Sequence, residues 1–149
     1  LKENRAPIVY GKAEPIFTES GILLLAVGSM VKVALTVREK LKERGLSCSL
    51  VNARFVKPID EELIREACKT HKLIVTMEEN VSCGGFGEHV REFVDSLAVE
   101  TRVLGIAIPD EYVEHGNVEL LKKETGIDAV TVEEKVVSSW QAVTGRQAL

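Results

Sequence analysis

Aromatic side chains are scarce in this 149-residue chain, which has four Phe, two Tyr and one Trp, 5% of the total. A core must therefore come from Val, Ile, Leu and Ala, which suits helix-covered parallel strands and argues against an all-β sandwich. Basic runs are missing too, and with a net charge of −4 the chain offers nucleic acid no electrostatic footprint. No apolar run exceeds Ile22 to Val27, which is too short to cross a bilayer. The start also lacks a signal-peptide layout, so a cytoplasmic protein with no membrane partner is expected. Cys48, Cys68 and Cys83 are odd in number and scattered, with no Cys-x-x-Cys pair. That pattern argues against a disulfide framework and a structural zinc site, and fits a reducing compartment. The first residue is Leu1 rather than Met, so a piece of something longer is expected.

What is present fits one globular domain, with 45% hydrophobic and 28% charged residues. Residues 1–20 mix charges with Pro7, Gly11 and Pro15 and read as a leading segment with one short edge strand. The domain proper is expected over residues 21–137. Ile22-Leu23-Leu24-Leu25-Ala26-Val27, bounded by Gly21 and Gly28, is the pattern of a strand covered on both faces. Ser29 is placed to cap a helix whose Met30, Val33, Ala34, Val37 and Leu41 recur at three- and four-residue steps, with Gly45 as its stop.

The alternation then repeats. A strand is expected from Leu46 to Ala53, a helix opened by Pro58 and Asp60, and a strand from Leu73 to Met77. A third helix carries Phe86, Val90, Phe93, Val94 and Leu97, and a further strand runs from Val103 to Ile108. Short helices follow at Val118 to Glu124 and around Val130 to Val137, ahead of a weakly patterned tail, 138–149, expected to fray. Such alternation implies an α/β fold with right-handed crossovers and a mostly parallel sheet.

In an open parallel sheet the ligand-facing loops gather at the carboxyl ends of the strands. Gly28-Ser29 lacks a full nucleotide-binding glycine pattern and reads as a capped helix start. Asn52 to Asp60 sets Arg54 and Lys57 beside Phe55. Arg54 suits a two-pronged clamp on a carboxylate or phosphate and equally a pair with an acidic loop of a neighbouring domain; residue chemistry does not choose between them.

The loop Glu78-Glu79-Asn80-Val81-Ser82-Cys83-Gly84-Gly85-Phe86-Gly87 is richest in chemistry. Paired carboxylates hold metals or divide acid and base roles, and the glycines admit close backbone approach. No histidine or second acidic cluster completes a metal set nearby in sequence, so carboxylates that cap or pair are the favoured explanation. Cys83, near a helix start, is a candidate reactive thiol, with no Cys-His-Asn set to complete it. His115 in Glu114-His115-Gly116 titrates near neutrality if solvated, whereas His71 and His89 have less to recommend them.

Four stretches, in order and spacing, resemble the last domain of deoxyxylulose-phosphate synthases, a branch of the transketolase superfamily. They are Ala26 to Met30, Val51 to Asp60, Glu78 to Gly87, and Pro109-Asp110 with Glu114 to Gly116. The likeness runs from Ile8 to Ile127 and is most specific in Asn52-Ala53-Arg54-Phe55-Val56-Lys57-Pro58.

The resemblance implies a three-layer α/β/α sandwich around a mixed, mostly parallel five-stranded sheet. It implies a whole enzyme that condenses pyruvate with glyceraldehyde 3-phosphate, releasing CO2, to give 1-deoxy-D-xylulose 5-phosphate for isoprenoid, thiamine and pyridoxal synthesis. Thiamine diphosphate and Mg2+ would lie in the first domain and the activating glutamate in the second, so no catalytic, cofactor or metal residue is carried over. The role implied for this chain is to stabilise the assembly, with the preceding domains and a homodimer as partners.

Arg54, Glu78, Glu79, Asn80, Gly84, Gly85, Phe86, Gly87 and His115 become candidates for interdomain or ligand-facing loops. The leading segment lacks the Tyr-Pro-Arg-Gly stretch of the family, so Arg5 is not read as a phosphate ligand. Rival readings are a free-standing anion-binding regulatory module and the matching domain of a 2-oxoacid dehydrogenase β subunit.

Overall fold

The computed structural model describes residues 7–109 and 118–145. Its strands are β1 (Glu14–Phe17), β2 (Gly21–Ala26), β3 (Cys48–Asn52), β4 (His71–Val81) and β5 (Arg102–Ile108). Its helices are α1 (Met30–Glu43), α2 (Glu61–Ala67), α3 (Phe86–Ser96), α4 (Val118–Thr125) and α5 (Ala129–Thr144). The sheet order is β1-β3-β2-β4-β5. β2 to β5 are mutually parallel, and β1 runs antiparallel along β3. Pro15 sits on this edge strand, where its missing N–H breaks no central ladder.

The all-apolar β2 explains the layering. Ile22, Leu24 and Ala26 face one way and pack with α1 and α5. Leu23 and Leu25 face the other way and pack with Ile64 of α2 and Phe86, Val90 and Val94 of α3. Alternate side chains of one strand thus enter two separate cores, the condition that makes a strand apolar throughout. The result is the expected three-layer α/β/α sandwich.

At the described ends of α1, α2 and α5 the residues act as their types dictate, with one exception. Gly45 adopts φ +73°, and its N–H reaches the Lys42 carbonyl (2.9 Å) while the Leu46 N–H reaches that of Leu41 (3.0 Å). The last-turn carbonyls of α1 are satisfied, beside Lys40 and Lys42 at the negative end of its dipole. Asp60 caps α2 through the Leu63 N–H (3.2 Å), and Asp128 caps α5 through Val130 and Thr131. Pro58 lies ahead of the cap rather than inside the helix. Ser29 is the exception: its side chain caps nothing in α1, because the hydroxyl is committed to Glu79.

Two elements outrun their expected ends. β4 continues past Met77, the last residue paired with β2, to Val81, which pairs with Ile108 of β5 after a register shift. Glu78, Glu79 and Asn80 are therefore strand residues, not loop residues. The helix expected around Val130 to Val137 continues to Thr144, with Trp140 packed on the α1 side of the sheet and its ring against Gly21. Exposed Val130 and half-buried Val143 lie among its apolar residues and blur the helical period.

Candidate functional site at the strand ends

The chain winds from β2 to β3 over one face, then crosses back to β4 over the other, so its switch point lies beyond the carboxyl ends of β2 and β4. At that point the structure places Ser29 and Glu79. The Ser29 hydroxyl donates to Glu79 Oε2, and Lys122 of α4 approaches Glu79 Oε1 at 3.3 Å. The Ser29 hydrogen bond, joined by Lys122 and opposed by burial, holds the Glu79 carboxyl below the usual carboxylate range. Glu79 is an ionised tie among α1, β4 and α4.

Glu78 points to the other face and is buried. Its Oε2 accepts from the Phe86 N–H (2.9 Å) and its Oε1 from the Gly87 N–H (2.8 Å). A carboxylate here satisfies two first-turn donors of α3 and lies at the positive end of the helix dipole. The glycines follow from its presence. A Cβ at residue 85 would stand 2.7 Å from both Glu78 oxygens and 2.6 Å from the Val81 carbonyl, and one at residue 87 would stand 2.6 Å from Thr76 Oγ1. Acidic strand end and glycine loop thus form one capping device. Asn80 turns its Oδ1 onto the adjacent Val81 N–H (2.9 Å), and the Gly84 N–H is taken by Glu88.

Arg54 has left-handed backbone (φ +59°), braced by its N–H on Asn52 Oδ1 (3.0 Å). Its guanidinium pairs with Glu14 of β1 at 2.9 Å. Neither of the two roles left open by the sequence is what this pair is: the acidic partner comes from the chain's own edge strand. The pair borders a cleft of about 950 Å³ lined by Pro7, Ile8, Ile16, Gly28 and Phe55, among others.

A smaller cleft, about 350 Å³, lies between the α3 start and β5, where exposed Cys83 and Arg91 meet Glu88 and Gly105. His115, with Asp110, Glu114 and Gly116, lies outside the described residues. Glu14, Ser29 and Lys122 are the functional neighbours that sequence reasoning missed. Each is some forty or more residues from its partner, and no local pattern announces it.

Among the described residues, no group of three or more His, Cys, Asp or Glu is arranged to hold a metal ion. Both carboxylates of the acidic pair are bonded within the chain, so these residues do not fit as holders of a magnesium diphosphate. No helix among the described residues is long and apolar enough to cross a membrane.

Comparison with known proteins places this geometry in a family. The model for the transketolase C-terminal domain matches residues 11–132. A 1-deoxy-D-xylulose-5-phosphate synthase from Lachnoclostridium phytofermentans is 47% identical over 137 residues, covering 91% of this chain and 22% of that protein. One from Synechococcus sp. is 39% identical over 147 residues, 99% of this chain and 23% of that protein, so the likeness extends past Ile127 through α5. The chain therefore spans about a fifth of the length of these relatives.

Among solved structures, a split-gene transketolase described as an inactive beta4 tetramer superposes with a TM-score of 0.83 at 24% identity, covering 94% of this chain and 44% of that one. A transketolase from Campylobacter jejuni gives 0.58 at 17% identity, covering 93% and 20%. By the extent of the family match, the chain belongs to the transketolase C-terminal domain family.

Proposed function

We propose that this chain is the C-terminal assembly domain of a thiamine-diphosphate-dependent 1-deoxy-D-xylulose-5-phosphate synthase and has no catalytic activity of its own. The complete enzyme joins pyruvate to glyceraldehyde 3-phosphate, with loss of the pyruvate carboxyl as CO2, in the cytoplasm. Thiamine diphosphate and Mg2+ are held by preceding domains of the same polypeptide, and the working unit is a homodimer. Support comes from the named relatives, which match nearly the whole of this chain yet extend far beyond it.

The observation that carries the non-catalytic part is the double hydrogen bond from Glu78 to the α3 start, which uses the buried carboxylate of the acidic-glycine motif for structure. Arg54, Glu79, Asn80 and Gly84 then serve as contact surfaces at one end of the sheet, while buried Gly85, Phe86 and Gly87 shape the loop from within.

The test compares two proteins for CO2 release from pyruvate with glyceraldehyde 3-phosphate, thiamine diphosphate and Mg2+ present: the full-length polypeptide and the 149-residue chain. Turnover by the first and none by the second is expected. Turnover by the short chain, or none by the full-length protein, overturns the reading.

A further inference from the structure

We propose that the surface formed by Ile8, Tyr10, Phe55 and Val56 around Arg54 is the docking site for the part of the same polypeptide that precedes this domain. The inference rests on the reading that the chain is the terminal part of a longer enzyme, and it assigns the contact to one face.

Large apolar side chains stand in the open along the two segments that meet here: Tyr10 is 77% exposed, Ile8 71%, Val9 56% and Val56 44%. Scattered apolar residues are ordinary on a surface, whereas a contiguous group marks an interaction site. These are not loose side chains on a stray tail. Tyr10 meets Phe55 edge-to-face, with centroids 5.5 Å apart and planes at 72°. The segment is pinned by the Ala13 N–H on Asp60 Oδ2 (3.0 Å) and by Lys12 on Glu62 (2.6 Å). The 950 Å³ cleft opens beside the pair, with Arg54 in its wall.

Aromatic and apolar centre, one arginine, and a charged margin of Lys12, Asp60 and Glu62 are the anatomy of a protein–protein contact. Arg54 gives one guanidinium nitrogen to Glu14, which leaves donors for a carboxylate on the occupant.

The occupant follows from where the chain arrives. Pro7, the first described residue, itself lines the cleft, so the described chain enters the domain at this face. The family is a C-terminal domain, and the curated relatives carry roughly four-fifths of their length outside the matched region. A partner tethered at the site acts at an effective concentration of about millimolar, which favours it over a second copy. The smaller cleft at the far side of the sheet is lined by Glu88, Arg91, Gly105 and Ala107, and its described lining residues include no aromatic to anchor a partner.

Hydrogen–deuterium exchange on the full-length protein and on the 149-residue chain tests the assignment. Peptides covering residues 8–13 and 53–57 are expected to exchange about ten-fold more slowly in the full-length protein, at every protein concentration. Ile8→Lys with Val56→Asp is expected to abolish that protection in the full-length protein, while the same pair leaves the melting midpoint of the short chain unchanged. Equal exchange in the two proteins overturns the proposal. So does protection that grows with protein concentration, which identifies a second copy, and so does protection confined to residues 82–85 and 102–108. Loss of CO2 release by the wild-type full-length protein strikes the enzyme assignment instead, and leaves the exchange result to judge the surface.

Discussion

Shortening Glu78 to Ala strips the Phe86 and Gly87 N–H groups of their acceptor inside a buried site. Hydrogen bonds to a charged group contribute about 1.5–3 kcal/mol each, and buried orphan donors cost a similar amount, so Glu78→Ala should lower unfolding stability by about 3 kcal/mol in a urea titration. A purely catalytic or ligand-holding carboxylate would leave stability unchanged or raised on removal.

His71 supplies a pH signature. Its Nδ1 lies 3.0 Å from the Ala67 carbonyl, which can only accept, so Nδ1 carries the proton and Nε2 accepts from the Ser49 hydroxyl. Burial, opposed by that bond to Ala67, holds the imidazole pKa below its ordinary 6.5. The unfolded chain therefore binds a proton before the folded one does. The neutral-histidine contribution is complete above 6.5 and is lost as pH falls through the lower folded value. Urea midpoints measured from about pH 8 down to about pH 5 should fall, and His71→Gln should flatten that slope.

Thiols separate by position. Cys83 is exposed, while burial pushes the Cys48 thiol up to about 12. An aromatic disulfide reagent should label Cys83 rapidly and Cys48 only after unfolding.

At the scale of elements, α5 offers the clearest test. Ending the chain after Val137 removes Trp140, whose ring closes over Gly21 at the start of β2, and should cost about 2–4 kcal/mol, read as a lower melting midpoint. Sequence pattern made α1 and β2 legible because their signals are local: an apolar run, a three-four period, and a glycine for the left-handed stop. It could not place the end of β4, because Glu78-Glu79-Asn80 has poor strand propensity and is kept in the strand by the pairs on either side, Met77 with Ile106 and Val81 with Ile108. Nor could it see Ser29 serving Glu79, fifty residues away, in place of its own helix.

On the scale of the molecule, two cores on opposite faces of one sheet fix the strand ends as a common platform, and the long-range ties Arg54–Glu14, Ser29–Glu79 and Lys122–Glu79 hold its loops. The candidate residues stood out in the sequence because their types are unusual together. The partners of Arg54 and Glu79 did not, since contacts across forty or more residues depend on topology. His115 lies outside the described residues.

The central claim is that this platform is a contact surface with no ligand site of its own. Titration calorimetry of the 149-residue chain against thiamine diphosphate with Mg2+, and against phosphorylated sugars, nucleotides and carboxylates, tests it most directly. No saturable heat up to about millimolar ligand is predicted. Saturable binding tighter than about 100 µM that disappears in Arg54→Ala or in Glu79→Gln would contradict it.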